Sequence, residues 1–177
     1  MAGKNKGLTI GSKIPQFSLQ DTQNNTWTDK DLMEKNNLVF IMRGTWWPNS
    51  RGQLGQLQDV VSKFQEHNIQ LITIFPQKGA KVKQYSEKHK FDFPLLIDEE
   101  RKLTKDFEVY RPIGYDGVNT AHPSMFLVDK DNSVTYSYIS KNQLDLPKDE
   151  EIFKLIKKYF NINLPSWLWC FLHFCTT

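Results

Sequence analysis

Runs of β-forming apolar residues alternate along the chain with segments in which apolar residues recur at helical spacing. Residues 38–42 form a continuous apolar run, which is typical of a strand buried on both faces of a parallel sheet, and residues 69–75 predict a second buried strand. Shorter apolar runs predict strands at residues 93–97 and 125–128. Helical spacing predicts a helix that ends near residues 67–68, a helix at 80–89, a turn or two over 100–107, and an amphipathic helix at 149–160.

Weaker patterns fill the rest of the chain. Residues 17–20 alternate and predict a hairpin with the segment around Trp27, through an Asn- and Asp-rich turn. Residues 134–139 alternate with a period of two after a tight turn, so they predict an antiparallel strand. Residues 109–121, rich in Gly, Pro and Tyr, are predicted to form a loop. The order of elements predicts an α/β fold with a mixed central sheet flanked by helices on both faces.

The composition narrows the class of protein. The 177 residues are 39% hydrophobic and 24% charged, which fits one globular domain with a tail. A net charge of +3 is too small to indicate nucleic acid as a partner. The start is polar, and the longest apolar run, residues 167–175, is too short to span a bilayer stably. The expected location is therefore the cytoplasm.

The cysteine count excludes two kinds of protein. The chain has two cysteines, Cys170 and Cys175, both in its last eight residues. A disulfide-stapled secreted scaffold is therefore excluded. A zinc site built from several thiolates in the body of the domain is excluded as well.

Four segments carry a family resemblance. The strand at 38–42 runs into a loop that reads Arg43-Gly-Thr-Trp-Trp-Pro-Asn-Ser-Arg-Gly. This loop resembles the active-site loop of thioredoxin-fold redoxins, in the peroxiredoxin-like alkyl hydroperoxide reductase and thiol-specific antioxidant branch, which commonly reads Arg-Gly-x-Trp-Cys-Pro-x-Cys-Arg. Segments 11–19, 93–107 and 121–129 resemble the same branch in the same order. The resemblance covers about residues 8–160 and implies one thioredoxin-like redoxin domain there, with an apolar tail at residues 161–177.

The resemblance implies an antioxidant oxidoreductase that reduces hydroperoxides. In such proteins a cysteine at a helix start attacks the peroxide, because the helix N-terminus and a nearby arginine stabilise its thiolate. The implied partners are a hydroperoxide substrate and a thiol reductant such as a thioredoxin-like protein, with no cofactor and no metal. A homodimer stays open.

Each site residue is assigned by its place in the matching segment. Trp47 stands where the attacking cysteine belongs, and Ser50 stands where the second cysteine belongs. The surrounding loop residues are Arg43, Gly44, Thr45, Trp46, Pro48 and Arg51. His122 and Pro123 are assigned a supporting role, and the resemblance implies that the bond between them is cis.

Tryptophan at position 47 leaves two interpretations open. An indole has no ionisable thiol, and Ser50 is a poor nucleophile without a general base. If Trp47 is genuine, it is a loop aromatic over the helix start, and the chain is a catalytically inactive binding or structural module. Alternatively, residue 47 is selenocysteine or cysteine. The tryptophan codon UGG differs by one base from both cysteine codons and from UGA, which can encode selenocysteine and be printed as tryptophan.

The basic and histidine side chains also have two interpretations each. Arg43 and Arg51 are either solvated charges or part of an anion or peroxide pocket at the helix start. His122 is either structural or a hydrogen-bond donor that reaches the loop. His67 and His89 are expected to end helices or to lie at the surface.

Three further groups of residues have candidate roles. The acidic residues 98–100 are expected to be a solvated helix start rather than a metal site. Tyr110, Arg111 and Tyr115 are candidates for a substrate rim. The tail with Cys170 and Cys175 is a packed or partner-binding segment, a weak interfacial membrane contact, or a by-product of translation with no selected role.

Overall fold

The computed structural model describes residues 7–114, 117–141 and 149–160 of the chain. The strands are β1 (Ser18–Asp21), β2 (Thr26–Thr28), β3 (Asn36–Ile41), β4 (Ile69–Phe75), β5 (Leu95–Ile97), β6 (Tyr110–Gly114), β7 (Gly117–Ala121), β8 (Ser124–Val128) and β9 (Val134–Ile139). The helices are α1 (Pro48–Glu66), α2 (Gly79–Lys88), α3 (Lys102–Asp106) and α4 (Asp149–Phe160), and a short 3-10 turn spans Asp29–Leu32.

Seven strands form one mixed sheet in the order β2-β1-β5-β4-β3-β8-β9. The central strands β3, β4 and β5 run parallel, while the outer pairs are antiparallel. The predicted α/β class and mixed sheet are therefore confirmed. The apolar runs succeed as predictors because their residues are buried: Val39, Ile72 and Phe126 are each at most 1% exposed. Each such side chain contributes about 1.5–3 kcal/mol through burial.

The parallel pairing of β3 and β4 positions the loop of interest. Ile41 lies opposite Ile74, so both strands end at the same edge of the sheet. The Met42 N–H extends this pairing by donating to the Ile74 carbonyl at 2.8 Å. The segments that follow the two strands therefore leave the sheet side by side, and α1 begins and packs back against β4.

The prediction of a loop over residues 109–121 is wrong. Strands β6 and β7 form an antiparallel pair, in which Tyr110 lies opposite Ala121 and Arg111 opposite Thr120. Pro112 is tolerated because each strand of a two-stranded ribbon is an edge with free hydrogen-bonding positions. Two glycines and a proline in this segment indicate a loop, although its β-forming residues outnumber them.

The prediction of a solvated acidic run holds for two residues and is wrong for the third. Glu99 and Glu100 are exposed, whereas Asp98 is 1% exposed. The Asp98 carboxylate accepts hydrogen bonds from the Leu103 N–H at 3.3 Å, the Thr104 N–H at 2.7 Å and the Thr104 hydroxyl at 2.6 Å. Asp98 is buried because it satisfies donors of α3 that have no partner within the helix.

His67 and His89 are the C-cap residues of α1 and α2, as predicted.

Near the N-terminus, residues 11–14 meet the beginning of β9, the last strand of the sheet. The Gly11 N–H donates to the Val134 carbonyl at 2.7 Å, and the Val134 N–H donates to the Ser12 carbonyl at 2.9 Å. The N-terminal segment therefore covers the outer backbone groups at this point of the sheet edge.

The chain divides into two compact units, Met1–Leu146 and Pro147–Thr177. In the second unit, α4 is amphipathic as predicted, with Ile152, Phe153 and Ile156 buried. Within the described ranges, no helix has the length and apolar character required to cross a membrane.

Substitution of Gly52 or Gly55 by alanine is expected to stabilise the protein. Both glycines lie inside α1, where an added Cβ would meet open space. Each change should raise the free energy of unfolding by about 0.5–1 kcal/mol, because alanine loses less backbone entropy than glycine in a helix. Urea unfolding measures the effect.

Gly79→Ala is the matched control. An added Cβ at Gly79 would lie 3.2 Å from the Ile97 Cγ2 atom, so crowding should offset any gain in helix propensity. Equal stabilisation by all three alanine variants would contradict this account of the helix.

Candidate functional site

Position 47 begins the longest described helix. Trp47 is the N-cap residue of α1, and Pro48 occupies the first helical position, where its missing N–H costs nothing. Ser50 follows one turn later and is buried, at 3% exposure. The helix therefore starts at the residue that the resemblance assigns to the attacking cysteine. No side chain caps the helix at this residue.

The buried cation of the site is Arg43, which is 2% exposed. Its Cζ atom lies 4.8 Å from the ring centroid of Trp47 and 5.5 Å from that of Trp46. The two indole rings meet edge to face, with centroids 5.7 Å apart. Arg43 is therefore not a solvated charge. It lies against residue 47 and makes a cation–π contact with that side chain.

Trp47 carries an unsatisfied polar atom. Its indole Nε1 is buried and has no hydrogen-bond partner among the described residues. A buried N–H without an acceptor costs about 1–3 kcal/mol. The tryptophan packs over the helix start, but its polar edge does not complement its surroundings.

A reciprocal amide contact fixes the loop before Trp46. The Thr45 N–H donates to Gln77 Oε1 at 2.8 Å, and Gln77 Nε2 donates to the Thr45 hydroxyl at 2.9 Å. Gly44 lies where a Cβ would come within 2.7 Å of Gln77 Oε1. Glycine is thus required at position 44 for the close approach of Gln77 and Trp46.

Arg51 tethers the first turn of α1 to its neighbours. Its Nε donates to the Thr45 carbonyl at 2.6 Å, and its Cζ atom lies 6.0 Å from the ring of Tyr85 on α2. Arg51 is exposed, in contrast to Arg43. The two arginines therefore play different parts: Arg43 contacts residue 47 itself, while Arg51 ties α1 to the loop and to α2.

His122 and Pro123 lie between β7 and β8. The His122 N–H donates to the Val109 carbonyl at 2.9 Å, and the Pro123 carbonyl accepts from the Ser140 N–H at 2.9 Å. The expectation of a cis bond between them is wrong, because no peptide bond in the described residues is cis. The trans form, which X–Pro bonds generally prefer, places both residues on their hydrogen-bond partners.

The electrostatics around His122 are positive. Burial lowers the pKa of His122, Arg111 and Arg43 lower it further, and a hydrogen bond with the Ser140 backbone opposes them. Burial likewise lowers the pKa of Arg43, with a further contribution from Arg111. Arg43, Arg111 and His122 therefore influence one another across the site, which favours a neutral imidazole and a bound or developing negative charge.

The lowered pKa of His122 predicts a loss of stability in acid. An unfolded histidine titrates near pH 6.5, and the folded pKa lies below that value, so the unfolded state binds more protons at lower pH. The contribution is fully present above about pH 6.5 and is lost as the pH falls through that range. Urea unfolding from pH 7.5 to 5 should show this slope, and His122→Gln should flatten it. Equal slopes in the parent and the variant would contradict the prediction.

Several predicted site residues are separate from this cluster or lie outside the described residues. Tyr110 and Arg111 lie on β6 rather than in a loop, and of the two Arg111 reaches His122 and Arg43 electrostatically. Tyr115, Cys170 and Cys175 lie outside the described residues. Within the described ranges, no group of three or more His, Cys, Asp or Glu residues could hold a metal ion.

Two residues of the site had no motif to reveal them. Gln77 follows β4 at the edge where the 43–47 loop follows β3, and this shared edge was the available signal. Thr120 is buried on β7, and its hydroxyl donates to the Arg43 carbonyl at 3.3 Å. That contact joins the β6–β7 hairpin, predicted as loop, to the residue that carries the buried cation.

The chain matches known proteins over most of its length. Residues 10–137 match the model of the AhpC/TSA family. Peroxiredoxin Bcp of Escherichia coli K12 is 25% identical over 136 residues, which is 74% of this chain and 85% of that protein. Peroxiredoxin Bcp of Bacillus subtilis 168 is 27% identical over 129 residues, covering 70% of this chain and 80% of that protein.

Solved structures agree with the fold. Peroxidoxin BcpB from Mycobacterium tuberculosis superposes with a TM-score of 0.74 at 19% identity, covering 89% of this chain and 99% of that chain. A PrxQ variant from Xylella fastidiosa superposes with a TM-score of 0.77 at 18% identity, covering 86% of this chain and 98% of that chain. At these identities the superpositions establish the thioredoxin-like fold.

Proposed function

Because the chain belongs to the AhpC/TSA family, we propose that it is a peroxiredoxin-like oxidoreductase that reduces hydroperoxides with a thiol reductant. The atom that attacks the peroxide is the selenium or sulfur of residue 47, which is selenocysteine or cysteine in the active protein. With tryptophan at this position the same chain is inactive as a peroxidase. The proposal assigns the buried cation to Arg43 and the supporting imidazole to His122.

One observation carries the proposal: the Arg43 guanidinium lies against residue 47 at the start of a 19-residue helix. A helix N-terminus and an adjacent cation both stabilise an anion, so they lower the pKa of a thiol or selenol placed there. A neutral indole gains the cation–π contact with Arg43 but carries no negative charge for the helix N-terminus to stabilise. The unsatisfied Nε1 of Trp47 supports the same conclusion, because a chalcogen at position 47 would bring no buried N–H donor.

The proposed reaction has two stages. A thiolate at position 47 attacks the nearer peroxide oxygen, the O–O bond breaks, and the residue becomes a sulfenic acid while the departing alkoxide takes a proton to become an alcohol. A first thiol then condenses with the sulfenic acid to form a mixed disulfide and water. A second thiol cleaves that disulfide, which restores residue 47 and releases the oxidised reductant. Selenium follows the same sequence.

Ser50 determines where the resolving thiol comes from. A serine one turn after position 47 cannot form the disulfide that a second cysteine of the loop would form. The resolving thiol must therefore come from another part of the chain, such as Cys170 or Cys175, or from a separate thiol molecule or protein. A cytoplasmic location fits this requirement, because thiols are kept reduced there.

The identity of residue 47 tests the proposal directly. The codon for this residue and the mass of the peptide that contains it distinguish selenocysteine, cysteine and tryptophan. We expect UGA or a cysteine codon, and thiol-dependent hydroperoxide consumption by the natural protein. A UGG codon together with a tryptophan mass would falsify the catalytic proposal.

The packing of Trp46 favours a second candidate function. Trp46 is 44% exposed beside position 47, which is unusual for so large an aromatic side chain. Exposed tryptophans are frequent anchors of protein interfaces. If Trp47 is genuine, the domain is a non-catalytic binding module. This candidate would be supported by a UGG codon at position 47 together with partner binding that is the same in the Ser50→Ala variant as in the parent.

A further inference from the structure

The surface next to position 47 carries exposed cations beside aromatic rings. Four exposed cations lie on α1, on α2 and at the N-cap of α2, and two aromatic side chains lie among or next to them. We call this set the basic face: Arg51, Lys78, Lys81, Lys88, Trp46 and Tyr85. Trp46 is one of three large apolar side chains that are exposed among the described residues, together with Ile10 and Met33.

Hydrogen bonds through Thr45 hold the basic face together. Thr45 is bonded to Gln77, which precedes Lys78, and its carbonyl accepts from Arg51. Trp46 follows Thr45 in the chain, and Arg51 lies over the Tyr85 ring at 6.0 Å. On α2, Lys81 and Lys88 are four residues before and three residues after Tyr85, so they share its side of the helix. The cations are thus presented on fixed elements.

The placement of two of these lysines opposes helix stability. Lys78 is the N-cap of α2 and Lys81 lies in its first turn, which contains no acidic residue. Cations are disfavoured at a helix N-terminus, because the helix dipole is positive there. The Glu99 carboxylate accepts from the Gly79 N–H at 3.0 Å, so the capping role is filled by a residue from another segment. A feature that works against local stability is often retained for function.

We propose that the basic face is a docking surface for a protein partner with an acidic surface. An exposed tryptophan supplies the apolar anchor, and the surrounding lysines and arginine supply charge complementarity, which guides encounter and orientation. The exposed acidic residues Glu87 and Glu99 border this face, and the net charge of the chain is +3. A mixed border and a small net charge suit a protein surface better than the uniform charge of nucleic acid.

This docking surface goes beyond the proposed reaction, because binding requires no reactive atom at position 47. It places an acidic partner beside the start of α1 whether residue 47 is a chalcogen or tryptophan. Peptide binding and peroxide consumption are separate measurements. Loss of one with retention of the other therefore identifies which of the two proposals has failed.

The test is fluorescence anisotropy with a short labelled peptide of alternating glutamate and leucine as the probe. The triple variant Lys78→Glu, Lys81→Glu, Lys88→Glu is expected to bind the peptide at least about tenfold more weakly than the parent at low ionic strength. Trp46→Ala is expected to weaken binding as well. The triple variant should fold, because two of its new carboxylates lie at the helix end that favours them; circular dichroism checks this.

Matched controls distinguish binding by the basic face from effects of net charge and of exposed apolar area elsewhere. Lys30→Glu, Lys35→Glu, Lys130→Glu changes the net charge equally at exposed lysines elsewhere, and Met33→Ala removes a comparably exposed apolar side chain. Both controls should leave the affinity within about twofold of the parent. Equal weakening by the control triple variant overturns the proposal. Tighter binding of an oligodeoxythymidine or of phosphatidylserine vesicles than of the peptide also overturns it.

Discussion

Replacement of Trp47 by cysteine is expected to convert the protein into a thiol-dependent peroxidase. An ordinary cysteine with a pKa of about 8.5 is a few per cent thiolate at pH 7, and the start of α1 with Arg43 should lower that pKa to about 6 or below, which raises the thiolate fraction roughly 30-fold. Hydroperoxide consumption with dithiothreitol measures the gain. The background should carry Cys170→Ser and Cys175→Ser, so that residue 47 is the one thiol of the chain.

Trp46→Cys is the matched control for this experiment. It places a thiol one residue earlier in the same loop, at an exposed position that is not the helix N-cap. The Trp47→Cys protein should react at least about tenfold faster than the Trp46→Cys protein, because only its thiol has both the helix start and the Arg43 contact. Equal rates would show that the surroundings of position 47 do not activate a thiol.

Asp98→Ala is expected to cost more stability than a change at any exposed carboxylate of the same acidic run. The change leaves three donors of Leu103 and Thr104 without their buried acceptor. Each buried unsatisfied donor costs about 1–3 kcal/mol, and partial rehydration should limit the total to about 3 kcal/mol. The expected result is a lower urea midpoint with an unchanged m-value.

Two further variants make this prediction specific. Asp98→Asn keeps one acceptor oxygen, so it should lose less stability than alanine. Glu100→Ala removes an exposed carboxylate from the same acidic run and should change the stability by no more than about 0.5 kcal/mol. If Glu100→Ala destabilises the protein as much as Asp98→Ala does, the loss of stability does not come from the hydrogen bonds between Asp98 and α3.

The sheet could be predicted from the sequence because burial and sequence pattern have a simple relation in this fold. Strands β3 and β4 are surrounded by other elements, so most residues in them are apolar. A continuous apolar run needs no knowledge of tertiary contacts to be recognised. The same logic fails for β6 and β7, because their sequences, Tyr-Arg-Pro-Ile-Gly and Gly-Val-Asn-Thr-Ala, contain no continuous apolar run.

The beginning of helix α1, on which the candidate site is built, could also be predicted, since Pro48 and the helical spacing after it mark where the helix starts. The burial of Arg43 could not. A charged residue directly after a strand is usually solvated, and Arg43 is buried because two indole rings from the next turn of chain lie against it. Such a contact depends on rotamers and loop geometry, which no local pattern encodes.

Asp98 illustrates a different limit. Three consecutive acidic residues resemble a solvated helix start, and two of them, Glu99 and Glu100, are exposed. The first, Asp98, is instead buried, and Arg101, which adopts the αL conformation with a φ of 60°, lies in the chain between it and the α3 N–H groups that donate to its carboxylate. The sequence contains no glycine or asparagine at position 101 to indicate that conformation.

The cover that residues 11–14 provide over β9 has a consequence for how the protein should be produced. The strand reads Val-Thr-Tyr-Ser-Tyr-Ile, which is uncharged and rich in β-forming residues, and it is the last strand of the sheet. An uncovered edge of this kind is a template for pairing with other molecules, which leads to aggregation and fibrils. A recombinant chain that starts after residue 14 would remove the hydrogen bonds of Gly11 and Ser12 to Val134. Affinity tags should therefore be fused ahead of residue 7, so that this end of the β9 edge stays closed to pairing with other copies of the chain.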